Sequence, residues 1–277
     1  MSTPRTLDLP DGVQATKIDT ERGTFAALAV RGGRAGHVLL VPGWTGSKED
    51  FTPVLPLLAA AGFEATAYDQ RGQYETPGAD DDDYSLGGYA ADALAVARAI
   101  TPTSHLLGHS FGGLVAQRAA VDAVTAWRTL SLLCTGPGTL GQGPQKPLDR
   151  LVEALESGVP MARIVQDLKG EALESEPDDV EAFVQDKFAR TSRVSLAAMT
   201  RHLIESPDLT DRVATTGIDC WVGRGVDDAA WPHDRQDDQA HRLRTTTVVV
   251  PSSAHSPAIE NPEGLAAAWL PFLQEVR

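Results

Sequence analysis

His105-Leu106-Leu107-Gly108-His109-Ser110-Phe111-Gly112-Gly113 is the stretch on which the reading of this chain turns. His105 to Leu107 predicts a strand, Phe111 to Val121 predicts a helix, and G-x-S-x-G joins the two. A bare G-x-S-x-G is common by chance, and the strand-turn-helix context is what makes it specific. The central residue of so sharp a turn has a strained backbone. Side chains two positions to either side collide unless they are glycine, as Gly108 and Gly112 are here. Such a turn pushes Ser110 Oγ clear of the sheet; the bland alternative is a tight connection carrying an idle serine.

A serine hydroxyl is a weak nucleophile at neutral pH, so acyl transfer needs a base and a carboxylate that orients it. Both occur downstream. After the predicted strand Ile218 to Val222 comes Gly225-Val226-Asp227-Asp228-Ala229-Ala230-Trp231-Pro232, which places two carboxylates in the loop at a strand end. After the strand Thr246 to Val250 comes Ser252-Ser253-Ala254-His255-Ser256-Pro257, a histidine in the corresponding loop. The order serine, aspartate, histidine is thereby met.

Outward from these loops, apolar runs alternate with helical periods, the signature of parallel strands joined by helices. Val38 to Val41, Glu64 to Tyr68 and Thr129 to Cys134 read as further strands; Phe51 to Leu58, Ser85 to Ile100 and Pro262 to Val276 read as helices. Val13 to Asp19 and Thr24 to Arg31 flank Glu21-Arg22-Gly23 and predict an antiparallel hairpin at a sheet edge. From Thr139 to Thr215 helical periods follow one another without a strand, so the expected organisation is an α/β core in two parts, 1–138 and 216–277, interrupted by a helical lid over 139–215.

Composition narrows the function classes. The chain has 277 residues, 42% hydrophobic and 22% charged, which supports a sizeable core and excludes disorder. Lys+Arg 24 against Asp+Glu 38 gives a net charge of −14, which repels nucleic-acid phosphates and anionic lipid heads, so neither nucleic acid nor membrane is an expected partner. The first residues contain no apolar signal-like region and no window matches a membrane span, giving a soluble, cytoplasmic protein as the expectation. Cys134 and Cys220 sit in apolar runs and are expected as buried strand residues. The histidines have no HxxxH or HxH spacing with carboxylates, and Asp80 to Asp83 lacks the ligand spacing of a calcium loop, so no metal and no cofactor are expected. His109 is assigned to packing, since neighbours at a sharp turn point apart.

GHSFGG, the GxxDxxxP segment ending at Pro232 and SAHSP together resemble the α/β-hydrolase superfamily, over nearly the whole chain. The resemblance implies a mostly parallel central sheet flanked by helices, with an inserted helical lid. It also implies Ser110 as nucleophile, His255 as general base and Asp228 as the acid. Asp227 competes for the last role, and Asp228 is preferred because the family's carboxylate stands four residues before the proline. Two backbone donors are implied for the oxyanion: Phe111, next to the nucleophile, and Trp44, in a Pro42-Gly43-Trp44 loop similar to the family's HGx motif. Proline replaces the histidine that braces this loop, so the bracing must come from elsewhere.

A serine nucleophile disfavours the epoxide-hydrolase and dehalogenase chemistries of the superfamily, which use aspartate. The expected activity is carboxylic-ester hydrolysis (EC 3.1.1) on a small-molecule substrate with a small to medium apolar acyl group, by a monomer or homodimer. Thioester hydrolysis, carbon–carbon cleavage and cofactor-free haloperoxidase or perhydrolase chemistry use the same motifs. From another class, a small-molecule receptor with vestigial hydrolysis also fits.

Overall fold

The computed structural model describes residues 3–140, 146–169 and 177–276. Eight strands form one sheet: β1 (Val13–Thr20), β2 (Gly23–Val30), β3 (Gly36–Val41), β4 (Phe63–Tyr68), β5 (Ser104–His109), β6 (Trp127–Leu133), β7 (Asp219–Gly225) and β8 (Thr247–Val250). Their order across the sheet is β1-β2-β4-β3-β5-β6-β7-β8. β1 and β2 pair antiparallel around the Glu21-Arg22 turn, as the hairpin reading expected, and β2 pairs antiparallel with β4; every other pairing is parallel.

Some of the connecting helices start at side-chain caps that the sequence supplies. Helix α1 (Leu55–Ala60) follows a 3-10 turn at Lys48–Phe51, whereas the sequence reading placed a helix over Phe51 to Leu58. Proline is accommodated there because Pro56 stands in the first turn, where the N–H it lacks would have had no intrahelical acceptor. In α2 (Leu86–Ile100) the Ser85 hydroxyl caps the Gly88 N–H. The helix α3 (Phe111–Asp122) leaves directly from β5. Five helices separate β6 from β7: α4 (Lys146–Glu156), α5 (Met161–Lys169), α6 (Asp178–Arg190), α7 (Arg193–Glu205) and α8 (Thr210–Thr216), with no strand among the described residues. α7 is capped by Ser192, and α8 ends on Gly217 in the left-handed conformation (φ 73°). α9 (His233–Arg242), α10 (Pro257–Glu260) and α11 (Pro262–Glu275) complete the chain.

Two apolar clusters cover the two faces of the sheet. Leu39, Leu106, Leu130 and Val222 pack towards α2, α3, α8 and α9; Val38, Leu40, Leu107 and Trp221 pack towards α1 and α11. A third cluster belongs to the inserted helices and contains Leu155, Ile164, Phe183, Val184 and Phe188. Pairing sets the C-terminal ends of the central strands level, with Val41 opposite Gly108, His109 opposite Leu133, Leu133 opposite Gly223 and Gly225 opposite Val250. The loops at that edge carry the site.

At the opposite ends of the strands two histidines are buried. His37 hydrogen-bonds Ser104 and Thr66, His105 hydrogen-bonds Thr129, and burial pushes both rings down to about 4. The unfolded chain protonates them near pH 6.5, so each costs stability as pH falls from that value towards 4, by up to about 1.4 kcal/mol per pH unit. Denaturant midpoints of wild type and His37→Gln, compared between pH 7 and pH 4.5, should therefore converge as the pH falls, with the variant losing less stability. Parallel curves would remove His37 from this account.

Candidate active site

Ser110 alone spans the junction between β5 and α3, at φ 55° and ψ −120°. A non-glycine residue there is strained and persists only when its surroundings hold it. Its N–H donates to the Leu133 carbonyl at 2.9 Å, and its carbonyl accepts the Gly113 N–H at 2.9 Å. The glycines are demanded by backbone contact. A Cβ on Gly108 would stand 2.2 Å from the Gly112 carbonyl oxygen, and one on Gly112 would stand 2.3 Å from that of Val41. Both glycines are thus required by sterics, although at Gly112 the collision is with the end of β3 rather than within the turn.

His255 joins Ser110 to Asp228: Nε2 lies 3.0 Å from Ser110 Oγ, and Nδ1 lies 2.8 Å from Asp228 Oδ1. Asp228 is 2% exposed, and burial alone would raise its carboxyl. Hydrogen bonds from His255, the Ala230 N–H and the Gln236 amide outweigh that and hold it below the usual carboxylate range. An ionised carboxylate only accepts, so Nδ1 carries the ring proton and Nε2 accepts from the Ser110 hydroxyl. Asp227 is exposed, with its N–H fixed to the Ser253 carbonyl, and it takes no part in this chain of bonds.

Several supports have no motif to announce them. His233 Nε2–H donates to the Asp228 carbonyl at 2.6 Å, from the start of α9. Glu260 of α10 accepts from the Ala254 N–H and, at 3.3 Å, from the Ser256 N–H, clasping the loop on both sides of His255. His109, expected only to pack, does more: its Nε2–H donates to the His255 carbonyl at 2.6 Å, and burial beside His255 pushes its ring down to about 3. The neutral ring thus ties the histidine loop to the serine turn.

The Pro42-Gly43-Trp44 loop lies against the same turn, with Gly43 close enough that a Cβ would stand 3.2 Å from Ser110 Cβ. Two glutamines after β4 supply the bracing that proline cannot. Gln70 Nε2 donates to the Pro42 carbonyl at 3.0 Å; Gln73 Nε2 donates to those of Gly43 at 2.8 Å and Trp44 at 3.2 Å. The Trp44 indole donates to Thr200 Oγ1 at 3.0 Å, fastening the loop to α7. Farther along, the buried Lys48 ammonium meets Asp69, Glu49 and Glu75 at 2.8 to 2.9 Å, while its N–H donates to Asp69. Burial opposes the charge on Lys48, but those carboxylates hold the ammonium well above its ordinary value. Phe111, as the first residue of α3, has an N–H with no intrahelical acceptor.

A cavity of about 210 Å³ opens on Ser110 and His255. Trp44, Leu140, Leu148, Leu203, Ala230 and Trp231 make it apolar, and among the described residues no Lys, Arg, Asp or Glu lines it. The Trp231 indole is fixed to the Gly138 and Thr139 carbonyls at 3.1 Å. Larger hollows of about 360 and 340 Å³ lie beside Cys220 and His37, away from Ser110. The Cys220 thiol is pushed up to about 12 by burial and by Asp219, so it is no nucleophile.

Residues 38–268 match the Alpha/beta hydrolase family. The chain belongs to that family. Over 86 residues this hydrolase is 42% identical to "Putative carbamate hydrolase RutD" of Variovorax paradoxus (strain S110), a match covering 31% of this chain and 32% of the relative. Its structure is similar to that of a hydrolase from Pseudomonas aeruginosa PA01, with TM-score 0.79, 23% identity, and 94% and 98% of the two chains covered. It is also similar to the esterase EaEST from Exiguobacterium antarcticum, with TM-score 0.77, 17% identity, and 94% and 100% covered. Among the described residues, no helix of the hydrolase is long and apolar enough to cross a membrane.

The backbone contacts at the elbow give a direct test. Gly112→Ala should cost the hydrolase at least about 2 kcal/mol, because neither Val41 nor Pro42 can move its carbonyl without disturbing β3. A urea midpoint equal to wild type would sink that account.

Proposed function

We propose that this hydrolase cleaves uncharged carboxylic esters with a small to medium apolar acyl group, through an acyl-enzyme on Ser110. The observation that carries the reading is the continuous chain from Asp228 through His255 to Ser110, with bonds of 2.8 and 3.0 Å, opening on a cavity that the described residues line without a charged side chain. His255 Nε2 takes the hydroxyl proton as Ser110 Oγ attacks the ester carbonyl, and Asp228 steadies the imidazolium. The negative charge passes to the carbonyl oxygen, where the N–H groups of Trp44 and Phe111 receive it; each such donor contributes on the order of 3 kcal/mol. The intermediate collapses, and His255 gives its proton to the departing alkoxide. Water then attacks the acyl-enzyme with His255 again as base, releasing the acid and restoring Ser110.

In this reading the helical segment 139–215 serves as the lid through a few residues. Leu148 and Leu203 line the cavity, joined from just before α4 by Leu140, whereas Leu155, Ile164, Phe183 and Phe188 pack among themselves. The partial match to a relative named for carbamate hydrolysis makes aryl carbamates a second substrate set to try, since the same serine attack serves both carbonyls.

Initial rates on p-nitrophenyl esters of increasing acyl length test the proposal. kcat/KM should rise about fourfold per methylene, the equivalent of about 0.8 kcal/mol of apolar transfer, until the cavity is full, and then fall. Ser110→Ala should abolish both turnover and the intact-mass shift given by a fluorophosphonate. Turnover that survives Ser110→Ala would overturn the reading. Asp228→Asn should lower kcat by on the order of 10³–10⁴-fold, through the wrong histidine tautomer. Asp227→Asn should stay near wild type, and the reverse ranking would transfer the role.

A further inference from the structure

Three side chains that no sequence spacing connects converge behind the serine. His109 ends β5, Cys134 follows β6 directly, and His255 lies in the loop after β8. One ligand atom from each, two ring nitrogens and the Cys134 sulfur, lie within 4.8 Å of one another. The mechanism makes no use of Cys134. Its backbone is held in the left-handed region at φ 49°, its N–H donates to the Gly223 carbonyl at 2.8 Å, and its fully buried thiol lies against the Ala254 carbonyl at 3.8 Å, the Gly225 backbone and the Asp228 carboxylate.

We infer that this cluster is an inhibitory site for a thiophilic divalent cation of the zinc type. Two imidazoles and one thiolate are the donor set such ions select over calcium or magnesium, which prefer oxygen. Bond lengths of about 2.0–2.3 Å place tetrahedral ligand atoms roughly 3.3–3.6 Å apart, so the three groups need to close by about 1 Å. Binding releases the Cys134 thiol proton to solvent, and the resulting thiolate together with the nearby Asp228 carboxylate balances the two positive charges. Both ring nitrogens of His255 are already engaged, one by Asp228 and one by Ser110. Whichever nitrogen takes the metal, one of those hydrogen bonds is lost, so the ion blocks the site.

Cobalt(II) and zinc(II) titrations of the intact protein test this, with Cys134→Ala as the comparison and Cys134→Ser as a second variant should the first fail to fold. Cobalt should give a thiolate-to-metal charge-transfer band in wild type, displaced by zinc and absent from the variant. Zinc at micromolar concentration should inhibit ester turnover reversibly, with EDTA restoring it, and the variant should require at least about tenfold more zinc. Calcium and magnesium should not inhibit. Absence of the charge-transfer band from folded wild type, or equal zinc sensitivity in wild type and variant, would overturn the inference. The cobalt spectrum needs no substrate, so it separates failure of this site from failure of the esterase reading.

Discussion

The left-handed backbone at Ser110 is the constraint on which the rest of the arrangement depends. A strand cannot run straight into a helix through an L-residue at φ 55° without strain, and that strain persists only because neighbours fix both sides. Leu133 at the end of β6 takes the Ser110 N–H, and the end of β3 leaves no room for a Cβ at Gly112. Both neighbours exist because β5 lies between β3 and β6 in the sheet. The serine is therefore positioned by strand order, a long-range property, and not by its local sequence alone. The same alignment brings the loops after β7 and β8 together: a Cβ on Gly225 would stand 2.0 Å from the Ala254 carbonyl oxygen, an approach that lets Asp228 and His255 meet.

Around this turn the polar groups act by fixing main chain. Gln70 and Gln73 hold three consecutive carbonyls of the Pro42-Gly43-Trp44 loop, His109 and Glu260 hold the chain around His255, and His233 holds the Asp228 carbonyl. Each supporting residue sits on an element next to the loop it braces, so the reacting atoms inherit the rigidity of sheet and helix. Preorganisation of this kind lets backbone donors favour a developing oxyanion without reorganising as it forms. Asp69 extends the pattern by accepting both the backbone N–H and the ammonium of Lys48, just beyond the donor loop.

The sequence made the scaffold legible because its signals are local. Alternating apolar runs and the strand-turn-helix pattern around Ser110 each act within a few residues, and each matched elements of the structure. The bracing was not legible, because it depends on adjacency in space. β4 neighbours β3 in the sheet, so glutamines after β4 reach the loop after β3, and nothing in the spacing of residues 42 and 73 records this. The choice between Asp227 and Asp228 has the same character. Adjacent residues in a loop point apart, and the bond from the Asp227 N–H to Ser253 decides which one turns inward. His109 was misjudged for a related reason: pointing away from Ser110 carries its ring to the loop of His255.

The inserted helices divide into two structural roles, and this bears on how specificity is separated from reactivity. α4, α5 and α6 bury their apolar residues in a small core, shared with Leu196 and Ala197 of α7, that stabilises the insertion itself. α7 is in addition fastened to the α/β core: Tyr89 hydrogen-bonds Ser195 at 2.9 Å, the Ser195 hydroxyl donates to the Arg71 carbonyl, and His202 stacks on Phe111. Because Trp44 bonds to Thr200 on this anchored helix, the donor loop is referenced to a rigid element. The cavity side chains Leu140 and Leu148 take no part in the hydrogen bonds that position Ser110, His255 or Asp228. Substitutions there can reshape the cavity while leaving those distances intact, whereas substitutions on α7 reach the Trp44 loop through Thr200. Within one insertion, therefore, α4 meets the cavity through Leu148, whereas α7 both lines it through Leu203 and holds the Trp44 loop in place through Thr200.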